Sequence, residues 1–449
     1  MVILDFFIVN VALPSMQADL HASDGVIEWV VAGYALTSAI FLIPAGRLGD
    51  RFGRRRLFSI SLAIFVLASA ACGAAATPTE LVVARLVQGA AAALMTPNIL
   101  AIIGVLYHRP DRARALSIYG TVMGLAAVGG QLIGGGLIAL DVAHLAWRSC
   151  FLINVPIGAV ALVLTPRLVP ESRQTGSAGL DLTGMLLATA TVTAAVFPLV
   201  EGRQDGWPLW SWIVLGAAPV LLGLLVAHQR RPASGGRGRL LDLSLFTERS
   251  FSAGLVAQLL FWGGQGSFFV VLALYLQEGR GLHALAAGLV FTILAGSYLL
   301  ASIQAPVLAA RHGRGVIIAG ALTLAAGQGL LFAAVEHVGV GGSIVVLVPG
   351  LLLVGAGMGL VIAPLATIVL HTLDPERAGA ASGLFTTMQN VGNALGVAVT
   401  GVVFFGGVHR GYAHAFELSV TQLGVLLLIV AASARLLPKK RPDLARIVQ

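Results

Sequence analysis

The chain is a succession of long apolar blocks separated by short breaks rich in Gly, Pro, Asp and Arg. Within the blocks nearly every position is apolar. They lack the period-2 alternation of a membrane barrel strand and the polar stripe of a helix lying on a soluble core. Lipid offers no partners for backbone N–H and C=O groups, so uninterrupted blocks of this length predict spanning α-helices. Fourteen segments result: 1–18, 27–46, 57–76, 81–107, 115–140, 149–168, 182–201, 210–229, 251–277, 284–310, 316–336, 343–370, 379–406 and 417–437. A span needs about 20 residues, and only the first segment falls short. That segment contains Pro14, and Met1 runs into Val2-Ile3-Leu4-Asp5 without the basic stretch of a secretory leader. The reading is a start upstream of Met1, or a fragment.

Composition agrees with the pattern. Only 11% of residues are charged and 57% are hydrophobic, against about 25% charged in a soluble domain. The fold class predicted is an all-α polytopic membrane protein. The 28 Lys and Arg then test the topology. With a cytoplasmic amino terminus, 23 fall in inner loops and the tail, 4 (Arg148, Arg203, Arg280, Arg410) fall outside, and Arg85 lies within a helix. One missed span would invert every later loop, so the bias supports fourteen spans with both ends cytoplasmic. The net charge of +8 is therefore a charge facing lipid head groups, not a nucleic-acid surface. The two lysines, Lys439 and Lys440, are followed by Lys and Arg. No Gly-Lys-Ser/Thr is formed, so the chain carries no nucleotide site of that kind. Cys72 and Cys150 read as small packing residues. Neither a cofactor nor a metal is predicted.

A repeat appears at a separation of 260–265: Arg51-Phe-Gly-Arg54 recurs as Arg311-His-Gly-Arg314, and Arg112-Ala-Arg-Ala-Leu-Ser117 loosely as Arg377-Ala-Gly-Ala-Ala-Ser382. Each pair lies on one predicted side of the membrane. The domain layout follows as an N-terminal six-helix bundle (1–170, its first helix shortened) and an inserted helix pair (182–230). A cytoplasmic linker (231–250), a C-terminal six-helix bundle (251–437) and a cytoplasmic tail (438–449) complete it. Parallel halves around a midplane site are a transporter architecture, worked by rocking one half against the other.

The connection Gly46-Arg-Leu-Gly49-Asp50-Arg51-Phe-Gly53-Arg54-Arg-Arg56 joins segments 2 and 3. Its glycines permit a tight turn and close helix approach. Asp50 among arginines offers a charge-assisted contact able to latch one conformation. For Arg55 and Arg56, anchoring at the inner surface is the simpler reading.

This loop resembles the signature loop of the major facilitator superfamily. The likeness extends along the chain. Leu4-Asp5-Phe-Phe-Ile-Val-Asn10-Val-Ala-Leu-Pro14 resembles the first-helix motif of its fourteen-helix drug:proton antiporters. Arg85-Leu-Val-Gln88-Gly89 resembles the fourth-helix motif of proton-coupled members. Trp147-Arg148-Ser-Cys-Phe-Leu-Ile-Asn154-Val-Pro156-Ile-Gly158 resembles the stretch entering the sixth helix. The resemblance implies two six-helix bundles with an extra central pair, a gating role for Gly46, Gly49, Asp50, Arg51, Gly53 and Arg54, and export of lipophilic, often cationic compounds in exchange for protons. The fifth-helix stretch departs from the antiporter pattern. Gly130, Gly134 and Gly135 survive as packing glycines, but Gln131 replaces a proline, which leaves export against import open. Phe6 and Phe7 also stand where a small polar residue is common.

Asp5 lies twelve residues before Gln17, about 18 Å along a helix and near the middle of a core about 30 Å thick. An ionised carboxylate there is costly unless paired, and a group that exchanges a proton as its surroundings change is what proton coupling requires. Arg85 cannot shed its proton, so it either snorkels to the outer head groups or pairs with Asp5. Glu28, Glu201 and Glu336 are expected at the membrane interface. Candidate cavity residues are Asn10, Gln88, Gln131, Trp262, Gln265, Gln389, Asn390 and Asn393: neutral amides and an aromatic face suited to flat or cationic ligands, or alternatively used between helices. The partners implied are a lipophilic small molecule, protons and the bilayer. No covalent chemistry is expected. A multidrug pump, an exporter dedicated to one natural product, a proton-coupled importer and a non-transporting sensor or scaffold remain the alternatives.

Overall fold

The computed structural model describes residues 1–107, 111–172, 181–231, 243–371 and 378–437. Gly46 and the side chains of Asp50 and Arg112, the repeat partner Arg377, most of the 231–250 linker and the tail from 438 lie outside the described residues. Among the described residues the chain is helical, without strands. The long helices are α1 (Val2–Leu20), α2 (Asp24–Phe52), α3 (Arg54–Ala74), α4 (Pro78–Leu106), α5 (Asp111–Leu140), α6 (Asn154–Leu168), α7 (Leu182–Gln204) and α8 (Leu209–Arg230). They continue as α9 (Arg249–Leu274), α10 (Ala284–His312), α11 (Gly315–Val338), α12 (Val348–His371), α13 (Ala378–Gly407) and α14 (Tyr412–Ser433). Thirteen of these regions are long and apolar enough to cross a membrane; in α5 the described apolar part is the shorter Gly129–Leu140.

Three boundaries depart from the expected ones for local reasons. The stretch expected as a loop at 46–56 is mostly helix, because α2 continues through Phe52 and α3 starts at Arg54. The whole reversal falls on Gly53, whose φ of 102° suits glycine. Next, α4 begins at Pro78, where a missing N–H costs nothing. Thr77 caps Glu80 N at 3.3 Å, and the Glu80 carboxylate accepts from Ala76 N at 2.8 Å. Finally, the sixth segment is broken into a single turn, Ser149–Leu152, and α6. Pro156 has no N–H for the Leu152 carbonyl, so the joint falls beside Asn154.

The contact pattern divides the chain into two compact units. The first comprises Met1–Phe6, Ser15–Met123 and Asp141–Leu243; the second comprises Phe7–Pro14, Gly124–Leu140 and Ser244–Gln449. In the first unit α4 packs on α2 and α3, and α6 packs on α3. Gly89 lets α4 approach the Tyr34 backbone, and Ser38 Oγ donates to the Gly89 carbonyl at 2.9 Å. The α7–α8 pair is fastened to α2. Trp29 Nε1 donates to Glu201 Oε1 at 2.6 Å, and the rings of Trp29, Phe197 and Trp210 pack in sequence at tilts of 47° and 45°. At the other end of the pair, Asp181 accepts from Gly184 N–H at 2.8 Å and Gln229 at 2.6 Å and pairs with His228 at 2.9 Å. Burial alone would push that carboxyl up. These hydrogen bonds outweigh it and hold Asp181 below the usual carboxylate range.

In the second unit the same pairings recur eight helices later. α12 packs on α10 and α11, and α14 packs on α11. Gly313 also has positive φ, 55°, at the place equivalent to Gly53. The repeated sequence thus encodes a repeated frame. Glycines carry the closest contacts. Gly396 of α13 lies against the backbone of Gly263 in α9, and Gly359 of α12 against the Tyr298 carbonyl of α10. Gly134 packs on Ile8, and Gly135 on the backbone of Ala284 and Leu285. Gly130 is buried.

Candidate functional site

Asp5 and Arg85 meet inside the first unit. Arg85 Nη1 donates to Asp5 Oδ2 at 2.7 Å, with Asp5 0% and Arg85 1% exposed. Snorkelling is excluded for Arg85. It lies seven residues into α4, about 10 Å from the helix start, and not one turn in as the expected boundary placed it. Its Nε donates to the Val30 carbonyl at 2.9 Å, and its guanidinium lies 4.2 Å from the Tyr34 ring centroid and 5.7 Å from that of Phe151. Rings from helix α2 and from the turn before α6 thus lie close to the cation.

The other carboxylate oxygen is held by two amides. Asp5 Oδ1 accepts from Gln88 Nε2 at 2.9 Å and from Asn154 Nδ2 at 2.8 Å. Gln88 Oε1 accepts from Arg85 Nη1 at 2.8 Å and from the Cys72 thiol at 3.7 Å. Behind the amides, Ser69 Oγ accepts from Gln88 and Asn154, each at 3.1 Å, and donates to the Phe151 carbonyl at 2.9 Å. Asp5 is thus surrounded by donors, as an ionised carboxylate requires. Removing one partner of such a buried pair costs about 3–5 kcal/mol because the other charge is stranded.

Sequence reasoning named Asp5 and Arg85 together. It named Gln88 as a cavity residue one turn from Arg85, and Gln88 hydrogen-bonds both members of the pair. It missed Ser69 and gave Asn154 no role. The Ser69–Cys72 spacing, one helical turn, was the available signal on α3. Glu28, expected at the interface, is buried at 1% exposure one turn into α2, so Asp5 is not the sole acid within the helices. Glu336 is exposed.

The remaining amides belong to the second unit. Asn10, Gln131, Gln265 and Asn393 are buried. Asn10 Nδ2 turns back to the Phe7 carbonyl at 3.4 Å. Asn10 Oδ1, both polar atoms of Gln131, Gln265 Oε1 and Asn393 Oδ1 have no hydrogen-bond partner among the described residues. Gln258 Nε2 reaches Gln389 Oε1 at 3.4 Å, linking α9 and α13. Trp262 and Asn390 are half-buried, and the Trp262 ring stands edge-on to Phe261.

At the α2–α3 junction, Gly49 approaches the Asn98 side chain too closely for a Cβ. Arg51 is exposed, with its guanidinium 5.5 Å from the Phe52 ring centroid. Arg54 N donates to the Ser172 carbonyl at 3.0 Å. Glu171 accepts from the backbone N–H groups of Arg55 and Arg56, both at 3.1 Å. A carboxylate at the exposed amides of a helix start is a favourable pairing. In the repeat, Arg314 instead holds the carbonyls of Arg435 and Leu437, so each junction grips the chain leaving its own sixth helix.

Two repeats of one helical frame, a sealed ion pair within one of them and unpaired buried amides in the other are the features of a membrane solute carrier. The family model of the Major Facilitator Superfamily matches residues 1–397. A Streptomyces coelicolor protein named as a probable actinorhodin transporter is 38% identical over 90% of this chain and 70% of its own length. The multidrug resistance protein Stp of Mycobacterium tuberculosis is 34% identical over 90% of this chain and 73% of its own. A crystal structure of an auto-inhibited POT family peptide transporter matches with a TM-score of 0.68 at 15% identity, covering 97% of this chain and 95% of that one. The chain belongs to the major facilitator superfamily, a family of transporters.

Proposed function

We propose that this protein exports lipophilic small molecules, cations among them, across the cell membrane in exchange for protons, with Asp5 as the proton site and Arg85 as the group that tunes it. The observation that carries this reading is the buried Asp5–Arg85 pair, 2.7 Å apart within a helical bundle. A charge at the centre of a spanning helix costs at least about 2.5–3.5 kcal/mol, so ionisable residues there mark ion and proton pathways. Relatives named for transport of actinorhodin and for multidrug resistance support small-molecule export. When the site faces the cytoplasm, water and substrate reach Asp5, and a cationic substrate favours its ionised form. When it faces outward, the external proton supply protonates Asp5 and substrate leaves. Gln131, with both polar atoms unpartnered, and Gln265 and Asn393, with unpartnered oxygens, are the substrate-binding candidates, since a buried polar atom without a partner is otherwise a cost.

The test is a resistance and accumulation panel in a bacterial host lacking its own pumps, with and without a protonophore. The expected result is reduced accumulation of several chemically distinct lipophilic drugs, abolished by the protonophore. Protection against one compound alone would mark an exporter dedicated to a natural product, the reading favoured by the relative named for actinorhodin. Unchanged accumulation of every compound would overturn the proposal. The distribution of Lys and Arg further supports a cytoplasmic location for both termini. Reporter fusions after Gln449 and within 232–239 should both read cytoplasmic, and a periplasmic signal from either would refute this orientation.

A further inference from the structure

We propose that the Asn154 carboxamide reads the charge of Asp5, giving its N–H₂ to the ionised carboxylate and turning over to accept the O–H of the protonated acid. The inference rests on Asp5 being the proton site and adds the residue that answers to it. A carboxylate accepts from every neighbour, but a carboxylic acid carries one O–H that needs an acceptor, and leaving it unsatisfied in a buried site is costly. Around Asp5 the neighbours are all donating. The Arg85 guanidinium has no acceptor to offer, so among the side chains hydrogen-bonded to Asp5 the acceptor comes from one of the two amides on Oδ1.

Gln88 is fixed in its present sense. Its Oε1 already accepts from Arg85 at 2.8 Å and from Cys72 at 3.7 Å, and turning the amide would set N–H₂ against a guanidinium. Asn154 is under no such constraint. Its Oδ1 is buried and has no hydrogen-bond partner, so turning the amide breaks nothing on that side. A proton from water on the loading side forms the O–H bond on Asp5 Oδ1. The Asn154 amide rotates, and Oδ1 takes the place that Nδ2 held 2.8 Å away.

The rotation has a second effect. In the ionised state Asn154 Nδ2 also donates to Ser69 Oγ at 3.1 Å, a tie between α6 and α3. An amide that has turned presents its oxygen to that position and releases the tie, whereas Ser69 keeps its bonds to Gln88 and to the Phe151 carbonyl. One proton on α1 is thereby converted into a changed contact between two other helices. The other titratable groups facing Asp5 are Arg85 on α4, Tyr34 on α2, Cys72 on α3, Cys150 in the turn before α6 and the Met1 amino group. None of these supplies an amide oxygen; the two amides at Asp5 are Gln88 and Asn154.

The experiment is infrared difference spectroscopy between high and low pH on the full chain in proteoliposomes. It compares the wild type, Asp5→Asn and Asn154→Leu, with the wild type also prepared with carbonyl-labelled asparagine. The expected result is a protonated-carboxyl band absent from Asp5→Asn, and shifted to higher frequency in Asn154→Leu because its acceptor is gone. The labelled asparagine carbonyl should change in step with that band in the wild type, a measurement that needs no substitution. Proton-driven drug uptake by Asn154→Leu should fall at least about tenfold, the scale of one charge-assisted hydrogen bond. Asn154→Gln, which keeps the amide, should restore part of it. An asparagine carbonyl insensitive to pH while the Asp5 band titrates, or an unchanged band in Asn154→Leu, overturns the role of Asn154. A titrating carboxyl band that survives in Asp5→Asn instead overturns Asp5 as the proton site.

Discussion

Asp5→Asn is expected to abolish acceleration of drug transport by a pH gradient while leaving a folded protein that still binds substrate. The amide oxygen of Asn preserves an acceptor for Arg85 Nη1, now 2.7 Å from Asp5 Oδ2, so the guanidinium keeps a hydrogen bond although it loses its counter-charge, as it also does whenever Asp5 is protonated. An amide cannot carry the proton, so the coupling is lost even though the packing survives. Asp5→Glu retains the carboxyl at a shifted position and should keep partial coupling. Arg85→Lys should fall below wild type. Lysine cannot reproduce a guanidinium that bonds Val30, Gln88 and Asp5 together and lies 4.2 Å from the Tyr34 ring centroid. The measurement is drug transport into proteoliposomes at several imposed pH gradients. Uphill transport by Asp5→Asn at the wild-type rate would place the proton site elsewhere.

Gly396→Val should lower the thermal stability of the purified protein more than any other single glycine substitution named here. A side chain at this position would run into the backbone of Gly263, its Cα and carbonyl carbon included, where nothing flexible can yield. The substitution therefore forces α9 and α13 apart along the contact that also carries Gly392. Helix propensity favours the replacement by no more than about 1 kcal/mol. Overpacking of a tight interface costs about 1–3 kcal/mol and sometimes more, so the clash prevails. Gly216→Ala is the matched control, because a Cβ there meets nothing within 4 Å, and propensity alone should leave its melting temperature equal or higher. Equal melting of Gly396→Val and wild type would show that the α9–α13 contact opens without cost.

The helical frame was legible because each apolar block is a single lipid-crossing element, and the distribution of Arg over the loops checks the count. The Asp5–Arg85 pair was legible because two opposite charges inside lipid-facing blocks have few ways to be satisfied. What was not legible came from side chains that look ordinary in one dimension. Ser69 is one hydroxyl in an apolar helix, and only the approach of α4 and α6 gives it two amide donors. Asn154 was visible as a letter in a motif, but its contact with Asp5 spans 149 positions. Gln88 was legible as a neighbour of Arg85 one helical turn away, but its second bond, to Asp5, depends on the approach of α1. The extent of α2 was underestimated for a different reason: the charged residues and Gly49 within 47–52 look like a loop, yet the helix tolerates them and ends only at Gly53.

The fastening of α7 and α8 to α2 through Trp29, Glu201 and Phe197 makes that hairpin a passenger of the first unit. Its tip, around Asp205-Gly206-Trp207, lies within the stretch Asp141–Leu243 that belongs to the first unit. A dye placed at Asp205 is thus a fixed reporter of the first unit. Paired with a second dye at Gly341 in the other unit, it offers a ruler for the transport cycle that leaves every residue of the charge network untouched.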